Sequence, residues 1–217
     1  MTNRLFILVV ALLIAGSMID YTYGDTGALG GDSGKDINGL VGDGNAPALS
    51  EDGAWVAYYD NNYQIWKVDV NGNGRMQLTS GHLDLHPSWS PDGKKIAFRR
   101  STVIEGSSFH DIWIMNSDGT NQMPLTDALG SKGAYDRPAW SPDGTKIAIE
   151  AAVDGMMSEI YIIDVKTKEL FNLTAGNSRD NNRINHQTPA WLADGERITL
   201  LRNDDFVVMS TVGGELK

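Results

Sequence analysis

The stretch whose residue types are best suited to bind a metal is DVNGNGRMQLTS. Asp69, Asn71 and Asn73 stand at alternate positions, the spacing at which a calcium loop opens with oxygen ligands. The twelfth position holds Ser80, where such a loop requires a bidentate glutamate. We therefore expect a hairpin turn here and no cofactor, with calcium bound at Asp69, Asn71 and Asn73 as the alternative.

Patterns of nucleophilic catalysis are missing from the sequence. The segment GGDSGKD ends in Gly-Lys like a phosphate loop, but Leu29 stands where that loop needs glycine and Asp36 where it needs serine or threonine. The sequence contains no G-x-S-x-G elbow and no cysteine, which excludes thiol chemistry. We expect a protein that is not an enzyme.

The overall charge argues against a nucleic-acid partner. The chain has 217 residues, of which 18 are basic and 28 acidic, and its formal net charge is −10. Non-specific binding to phosphates needs clustered lysine and arginine, and here the basic residues are scattered. With 41% apolar residues, the chain can bury the core of one domain or one repeat array.

Residues 1–24 have the pattern of a secretory signal peptide. Arg4 precedes an apolar run of about eleven residues, too short to span a bilayer, and small residues follow. Cleavage after Ser17 and after Gly24 both fit, and an uncleaved anchor is the alternative. The expected location is the periplasm or the extracellular space. Residues 25–45 are rich in Gly and Asp and form a leader.

The remaining chain is an internal repeat with two blocks in each copy. The first block reads PALSEDGAWVAYY, PSWSPDGKKIAFR, PAWSPDGTKIAIE and PAWLADGERITLL. These blocks begin at Pro47, Pro87, Pro138 and Pro189. An Asp-Gly pair and a β-branched residue recur at fixed offsets from the proline, so the four copies are in register.

The second block reads QIWKVDVNGNGRMQLT, DIWIMNSDGTNQMPLT, EIYIIDVKTKELFNLT and a shortened DFVVMSTVGGELK. Each repeat thus holds four short strand-like runs, joined by turns at SPDG in the first block and at VNGNG, NSDG, VKTK or TVGG in the second. Runs such as IWIM and IYII are apolar at every position, which is typical of strands covered on both faces.

Four-stranded units of this length with buried central strands indicate an all-β fold, a β-propeller built of four-stranded antiparallel blades. The six tryptophans recur at equivalent places and are expected to pack between blades. The pairing of PxWSPDGxxIAF with DIWIMNSDGTNxxxLT resembles the WD40-like repeats of TolB-type propellers. Such repeats also occur in propeller domains of the prolyl oligopeptidase and dipeptidyl peptidase IV families.

The predicted repeats divide residues 46–217 into 46–85, 86–136, 137–187 and a truncated 188–217. Residues 37–41 are a candidate outermost strand without the rest of its blade. One arrangement is a four-bladed ring closed by this strand. The other is an incomplete array, whose open ends would expose apolar faces and allow self-association.

The resemblance implies a central channel with a mouth near the start of each inner strand, where some propeller lyases hold a metal. It places there Asp84, His86, Asp136, Arg137 and His186. For the two aspartates, capping of turns is the favoured alternative to lining the mouth. The residue ahead of each repeat proline changes while the block around it stays constant, so function is expected at that position.

The function implied by the resemblance is that of a non-catalytic secreted or periplasmic module that binds a protein, as TolB does in the Tol-Pal envelope system. The partner is then a protein of the envelope or extracellular space. One alternative is a propeller enzyme or carbohydrate-binding protein with a metal or glycan at the mouth. Another is a fragment of a longer propeller protein.

Overall fold

The computed structural model of the protein describes residue 41 and residues 44–127, 133–153, 157–175 and 184–212. The predicted signal peptide and residues 37–40 of the predicted closing strand lie outside these ranges, so both stay predictions. Within these ranges, no helix is long and apolar enough to cross a membrane.

The described chain folds into four successive antiparallel units, which we call blades 1 to 4. Blade 1 comprises β1 (Asn45–Leu49), β2 (Trp55–Tyr59), β3 (Ile65–Asp69) and β4 (Met76–Gln77). Blade 2 comprises β5 (Leu83–Trp89), β6 (Lys95–Ile104), β7 (Ser107–Asn116) and β8 (Met123–Pro124). Blade 3 comprises β9 (Gly133–Trp140), β10 (Lys146–Val153), β11 (Glu159–Asp164) and β12 (Leu170–Asn172). Blade 4 comprises β13 (His186–Trp191), β14 (Arg197–Arg202) and β15 (Asp205–Ser210). The predicted all-β class is confirmed.

The strands of a blade pair in chain order, and the blades converge on their first strands. The first strands β1, β5, β9 and β13 lie in contact one after another, whereas β4, β8 and β12 pack mainly within their own blades. One parallel pair, His110 with Ala134, joins blades 2 and 3 at a single point. This wedge of sheets around the first strands is the arrangement of a propeller.

The S-P-D-G turns form as the sequence predicts. In blade 2 the Ser90 hydroxyl donates to Asp92 over 2.7 Å, the Lys95 N–H donates to the Ser90 hydroxyl over 2.9 Å, and Gly93 has φ of +67°. Only glycine adopts this backbone conformation without steric cost. The bond from Ser90 and the Lys94 N–H lower the pKa of Asp92, so this turn carries a full negative charge.

The core lies between the blades, in three apolar layers. Each layer joins one face of a blade to the opposite face of the next. Two tryptophans of the first strands also donate across these layers, Trp89 Nε1 to the Ala48 carbonyl over 3.1 Å and Trp191 Nε1 to the Ala139 carbonyl over 3.0 Å. These two confirm the predicted packing of tryptophan between blades.

The two ends of the array differ in the described residues. At blade 1, Val41 packs on the outer face with Val56, Tyr58 and Val68, and the Arg75 guanidinium lies 5.8 Å from the Tyr58 ring. No pair of strands from blades 1 and 4 is in extensive contact in the described ranges. A closed four-bladed ring is therefore not seen, and the predicted closing strand is left as a prediction.

Candidate site at the mouth rim

The residue ahead of each repeat proline adopts a left-handed backbone conformation. The φ values are +44° at Ala46, +50° at His86, +47° at Arg137 and +48° at Thr188. The pairing of the first strand with the second shifts register at the same place in all four blades. Proline has no N–H to give to the ladder, and a bulge at this point changes the direction of the preceding side chain.

Antiparallel pairing puts the start of each first strand and the end of each second strand at one end of the blade. We call this end the mouth rim and the end with the S-P-D-G turns the turn rim. The residues ahead of the prolines lie on the mouth rim. This is where function was predicted, and the side chains there form a row that runs from blade to blade.

The first contacts of this row join blades 1, 2 and 3. The His86 ring meets the Tyr59 ring edge-on at 5.8 Å between centroids, and His86 Nδ1 lies 2.6 Å from Asp136 Oδ1. Arg99 Nη1 donates to Asp136 Oδ2 over 2.9 Å, and the Arg137 N–H donates to Asp136 Oδ1 over 2.8 Å. One carboxylate of blade 3 is thus held by two side chains of blade 2.

The surroundings of Asp136 keep it ionised. Burial alone would raise the pKa of its carboxyl group. The hydrogen bond and charge of His86, the charge of Arg99 and the Arg137 N–H outweigh that effect and hold the pKa well below its usual range. A carboxylate fixed in this way serves as a structural anion and is a poor proton donor near neutral pH.

The next contacts join blades 3 and 4. Arg137 Nη1 donates to Glu150 Oε2 over 3.0 Å. The same carboxylate accepts longer bonds from blade 4, at 3.4 Å from Gln187 Nε2 and at 3.4 Å from the Thr188 N–H. The row therefore passes without a break from Tyr59 on blade 1 to Thr188 on blade 4.

These contacts repeat with the sequence. Tyr59, Arg99 and Glu150 each stand three residues after the repeat's β-branched residue, on the second strand of blades 1, 2 and 3. In each of the three interfaces this side chain reaches the first strand of the following blade. We call Tyr59, His86, Arg99, Asp136, Arg137, Glu150 and Thr188 the polar row.

Asp84 lies apart from the polar row. It is fully buried and forms a bidentate ion pair with Arg100, whose Nε and Nη2 lie 2.7 and 2.8 Å from the carboxylate oxygens. Arg100 Nη2 also donates to Gln122 Oε1 over 2.8 Å, and its guanidinium lies 4.5 Å from the Trp113 ring centroid. This arrangement fixes the fold of blade 2 and leaves no face of Asp84 for a ligand.

His186 occupies in blade 4 the repeat position that Asp84 occupies in blade 2, three residues before the proline. Its side chain is fully buried. Of the five residues predicted at the mouth, the structure brings together His86, Asp136 and Arg137. The described ranges hold no group of three His, Asp or Glu side chains placed to bind a metal.

In the stretch considered for calcium, backbone N–H groups of the turn itself bind the Asp69 carboxylate. Asp69 Oδ1 accepts the N–H groups of Asn71 and Asn73 over 2.7 and 2.9 Å, and Gly72 has φ of +87°. These bonds lower the pKa of Asp69. The geometry is that of the predicted hairpin turn between β3 and β4. Calcium binding there stays an untested alternative.

Sequence reasoning missed Arg99 and Glu150, which hold the polar row together. Their signal is a charged residue at the end of an otherwise apolar run, in IAFR and IAIE. It also missed Ser101 and His110, whose Oγ and Nδ1 lie 2.8 Å apart, with Ser101 two residues beyond Arg99 along β6. Burial and the charge of Arg99 lower the pKa of His110, although Asp136 opposes this.

No family model matches the chain. An uncharacterized protein of Agrobacterium fabrum, Atu1656, is 33% identical over 127 residues, which are 54% of this chain and 43% of that protein. The Tol-Pal system protein TolB of Rhizorhabdus wittichii is 34% identical over 80 residues, 37% of this chain and 17% of that protein. The uncharacterized peptidase YuxL of Bacillus subtilis is 29% identical over 117 residues, 52% of this chain and 16% of that protein. The chain thus spans less than half the length of these curated relatives.

Solved propeller structures share the fold. A putative TolB from Agrobacterium tumefaciens superposes with a TM-score of 0.61 at 21% identity, over 78% of this chain and 59% of that one. TolB from Acinetobacter baumannii gives a TM-score of 0.59 at 22% identity, over 77% and 41% of the two chains. An oligogalacturonate lyase in complex with manganese gives 0.56 at 17% identity, over 80% and 52%. The sequence and structure matches together confirm the predicted resemblance to TolB-type repeats.

Proposed function

We propose that this chain, a relative of the TolB-type WD40-like propeller proteins, is a non-catalytic module that binds a protein partner at its mouth rim. The observation that carries this proposal is the polar row. Three of its members, His86, Arg137 and Thr188, stand on the same bulged backbone in successive blades, and blade 1 has Ala46 at that position. A constant frame with variable side chains is suited to recognition of a partner surface.

The proposed location is the periplasm or the extracellular space. Relatives named as Tol-Pal system proteins support a periplasmic envelope protein as the partner. The predicted signal peptide at residues 1–24 supports export. The net charge of −10 disfavours a nucleic acid as the ligand.

The absence of catalysis is also part of the proposal, because some relatives are peptidases. In the polar row, Asp136 and Glu150 are each paired with an arginine, and the lowered pKa of Asp136 makes that carboxylate a poor general acid near neutral pH. Ser101 is buried, and its contact to His110 is through Nδ1. No specific observation in the described ranges favours the enzyme or glycan alternative.

A site-specific crosslinking experiment tests the proposal. A photo-crosslinking residue replaces Ser107, which is exposed on the mouth rim, or Lys94, which is exposed on the turn rim as the matched control. We expect discrete protein adducts from the envelope fraction of the source cell at position 107, absent at position 94, and weakened severalfold by Arg137→Gln. Equal adducts at both positions, or none at position 107, would refute binding at the mouth rim.

A further inference from the structure

The hairpin of β6 and β7 extends beyond the other second and third strands. Each of its strands has 10 residues, against 5 in β2 and β3, 8 in β10, and 6 in β11, β14 and β15. The turn at its tip is Glu105-Gly106, with φ of +50° and +80°. Two left-handed residues in a two-residue loop make a tight hairpin turn that matches strand twist. The extension thus ends in a tight turn on the mouth rim.

The pairing pattern shows which backbone groups of the extension face outward. Ile104 and Ser107 flank the two-residue turn and exchange the closing hydrogen bonds with each other. Hydrogen-bonded and non-hydrogen-bonded pairs alternate along the ladder, so the next pair, Val103 with Ser108, uses neither N–H inside the hairpin. The N–H and C=O of Val103 therefore point to the side of β6 on which β5 lies.

That side of β6 has no partner strand at Val103 in the described ranges. The last pair between β5 and β6 is Leu83 with Ser101. Ahead of β5 the chain turns away at Gly81, which has φ of +79°, and Gln64 Nε2 holds the His82 carbonyl at 2.6 Å. The Val103 side chain is 63% exposed. An open edge of β-branched residues is a template for an added strand.

The charges of the rim select the kind of strand that fits. In the described ranges, Glu105, Asp127, Asp204 and Asp205 are the exposed carboxylates of the mouth rim, and no lysine or arginine there is exposed to the same degree. The arginines of the polar row are already paired with acids. A segment with net positive charge is therefore the complementary occupant.

We infer that the open edge of β6 at Val103 binds an extended, basic segment of the protein partner as an added strand. The inference rests on the proposed function and names its mode of binding. The added strand continues the line of β5, pairs with the Val103 backbone, and has lysine or arginine side chains beside the carboxylates of the rim. Backbone hydrogen bonds to the added strand provide affinity, and the carboxylates of the rim provide specificity for a basic segment.

The test uses short synthetic peptides as probes, one alternating lysine with valine and one alternating glutamate with valine, and the purified full chain. We expect the basic peptide to bind and the acidic one to fail. Val103→Pro removes the outward N–H, and the proline ring obstructs the added strand. Binding should weaken at least about tenfold, roughly the effect of one lost hydrogen bond together with this steric clash. Ser108→Pro places proline at the matching position of the opposite edge and should leave binding unchanged.

A second measurement holds even if a proline variant is unstable. In the wild-type chain the Val103 amide should exchange its hydrogen quickly, and the basic peptide should slow that exchange without slowing exchange at Ser108. Equal losses in Val103→Pro and Ser108→Pro, unchanged exchange at Val103, or no binding of the basic peptide would overturn the added strand. The crosslinking result at position 107 decides the proposed function separately.

Discussion

At the scale of single residues, the structure separates a constant backbone from variable side chains. A non-glycine residue in the left-handed region costs about 1–2 kcal/mol, and the chain accepts this cost at all four positions ahead of the repeat prolines. The packed layers on both sides hold the bulge in place. The side chain at that position can then vary from blade to blade. The side chains around it are held in place, as the bonds of Asp136 to His86 and Arg99 show.

Replacement of Asp136 by asparagine should destabilise the fold by about 1–3 kcal/mol near pH 7, since His86 and Arg99 lose the carboxylate that they hold. The lowered pKa of Asp136 means that its contribution is fully present above the unfolded value of about 4 and disappears as the pH falls through the folded value. Urea denaturation across this range should show the two proteins converging in acid. Parallel curves would contradict the role of the charge.

At the scale of elements, the repeated turns place strands and also touch neighbouring blades. Asp118 accepts the Thr120 N–H over 3.0 Å in the turn between β7 and β8. Gly119 in that turn has φ of +86°, and a Cβ there would lie 2.8 Å from the Leu78 carbonyl oxygen of blade 1. The glycine thus serves both its own hairpin and the contact between blades.

A pair of glycine substitutions tests the contact between blades. Gly119→Ala should lower the free energy of unfolding by roughly 1 kcal/mol, because alanine is strained in the left-handed backbone conformation. It should lower it by a further 1–2 kcal/mol, about the cost of moving Leu78 away from the new Cβ. Gly106→Ala has a similar φ with nothing within 4 Å of the added Cβ, so it should show the backbone cost alone. Thermal unfolding of both variants provides the comparison. Equal losses would show that the approach to Leu78 is unimportant.

At the scale of the whole molecule, stability comes from blade-on-blade burial, and the last blade lacks a neighbour in the described ranges. Ile65, Ile112 and Ile160 occupy one repeat position and are fully buried. The fourth residue of that position, Phe206, is 53% exposed. The side chain at this repeat position is therefore buried where another blade packs against it and exposed to water where none does within the described part of the chain. Self-association through this open end remains a prediction.

Alanine substitutions at this repeat position should give unequal losses. Ile160→Ala should cost about 2–5 kcal/mol, because it leaves a cavity between blades 3 and 4. Phe206→Ala should cost less than about 1 kcal/mol, because water already reaches that side chain. Urea denaturation at low protein concentration measures both. A loss at Phe206 equal to that at Ile160 would show that its face is covered in solution, and sedimentation would then test self-association.

Much of the architecture was predictable from the sequence because it depends on local chemistry written four times. Proline, aspartate and glycine at fixed offsets specify hairpins, and runs that are apolar at every position specify strands buried on both faces. His86, Asp136 and Arg137 were also predictable as residues of one rim, since each lies at or just ahead of the same repeat position. These predictions required no knowledge of how the blades meet.

The sequence by itself determined the all-β class, the four repeats, their turns and the position at which the variable residues stand. Only the tertiary structure decided which of those residues meet. In the tertiary structure Asp136 pairs with His86 and Arg99, and Asp84 forms an ion pair with Arg100. The edge of β6 at Val103 has no partner strand in the described ranges. The physical reason is that hairpins depend on neighbours in the chain, whereas ion pairs between blades depend on distances across sheets that no local pattern encodes.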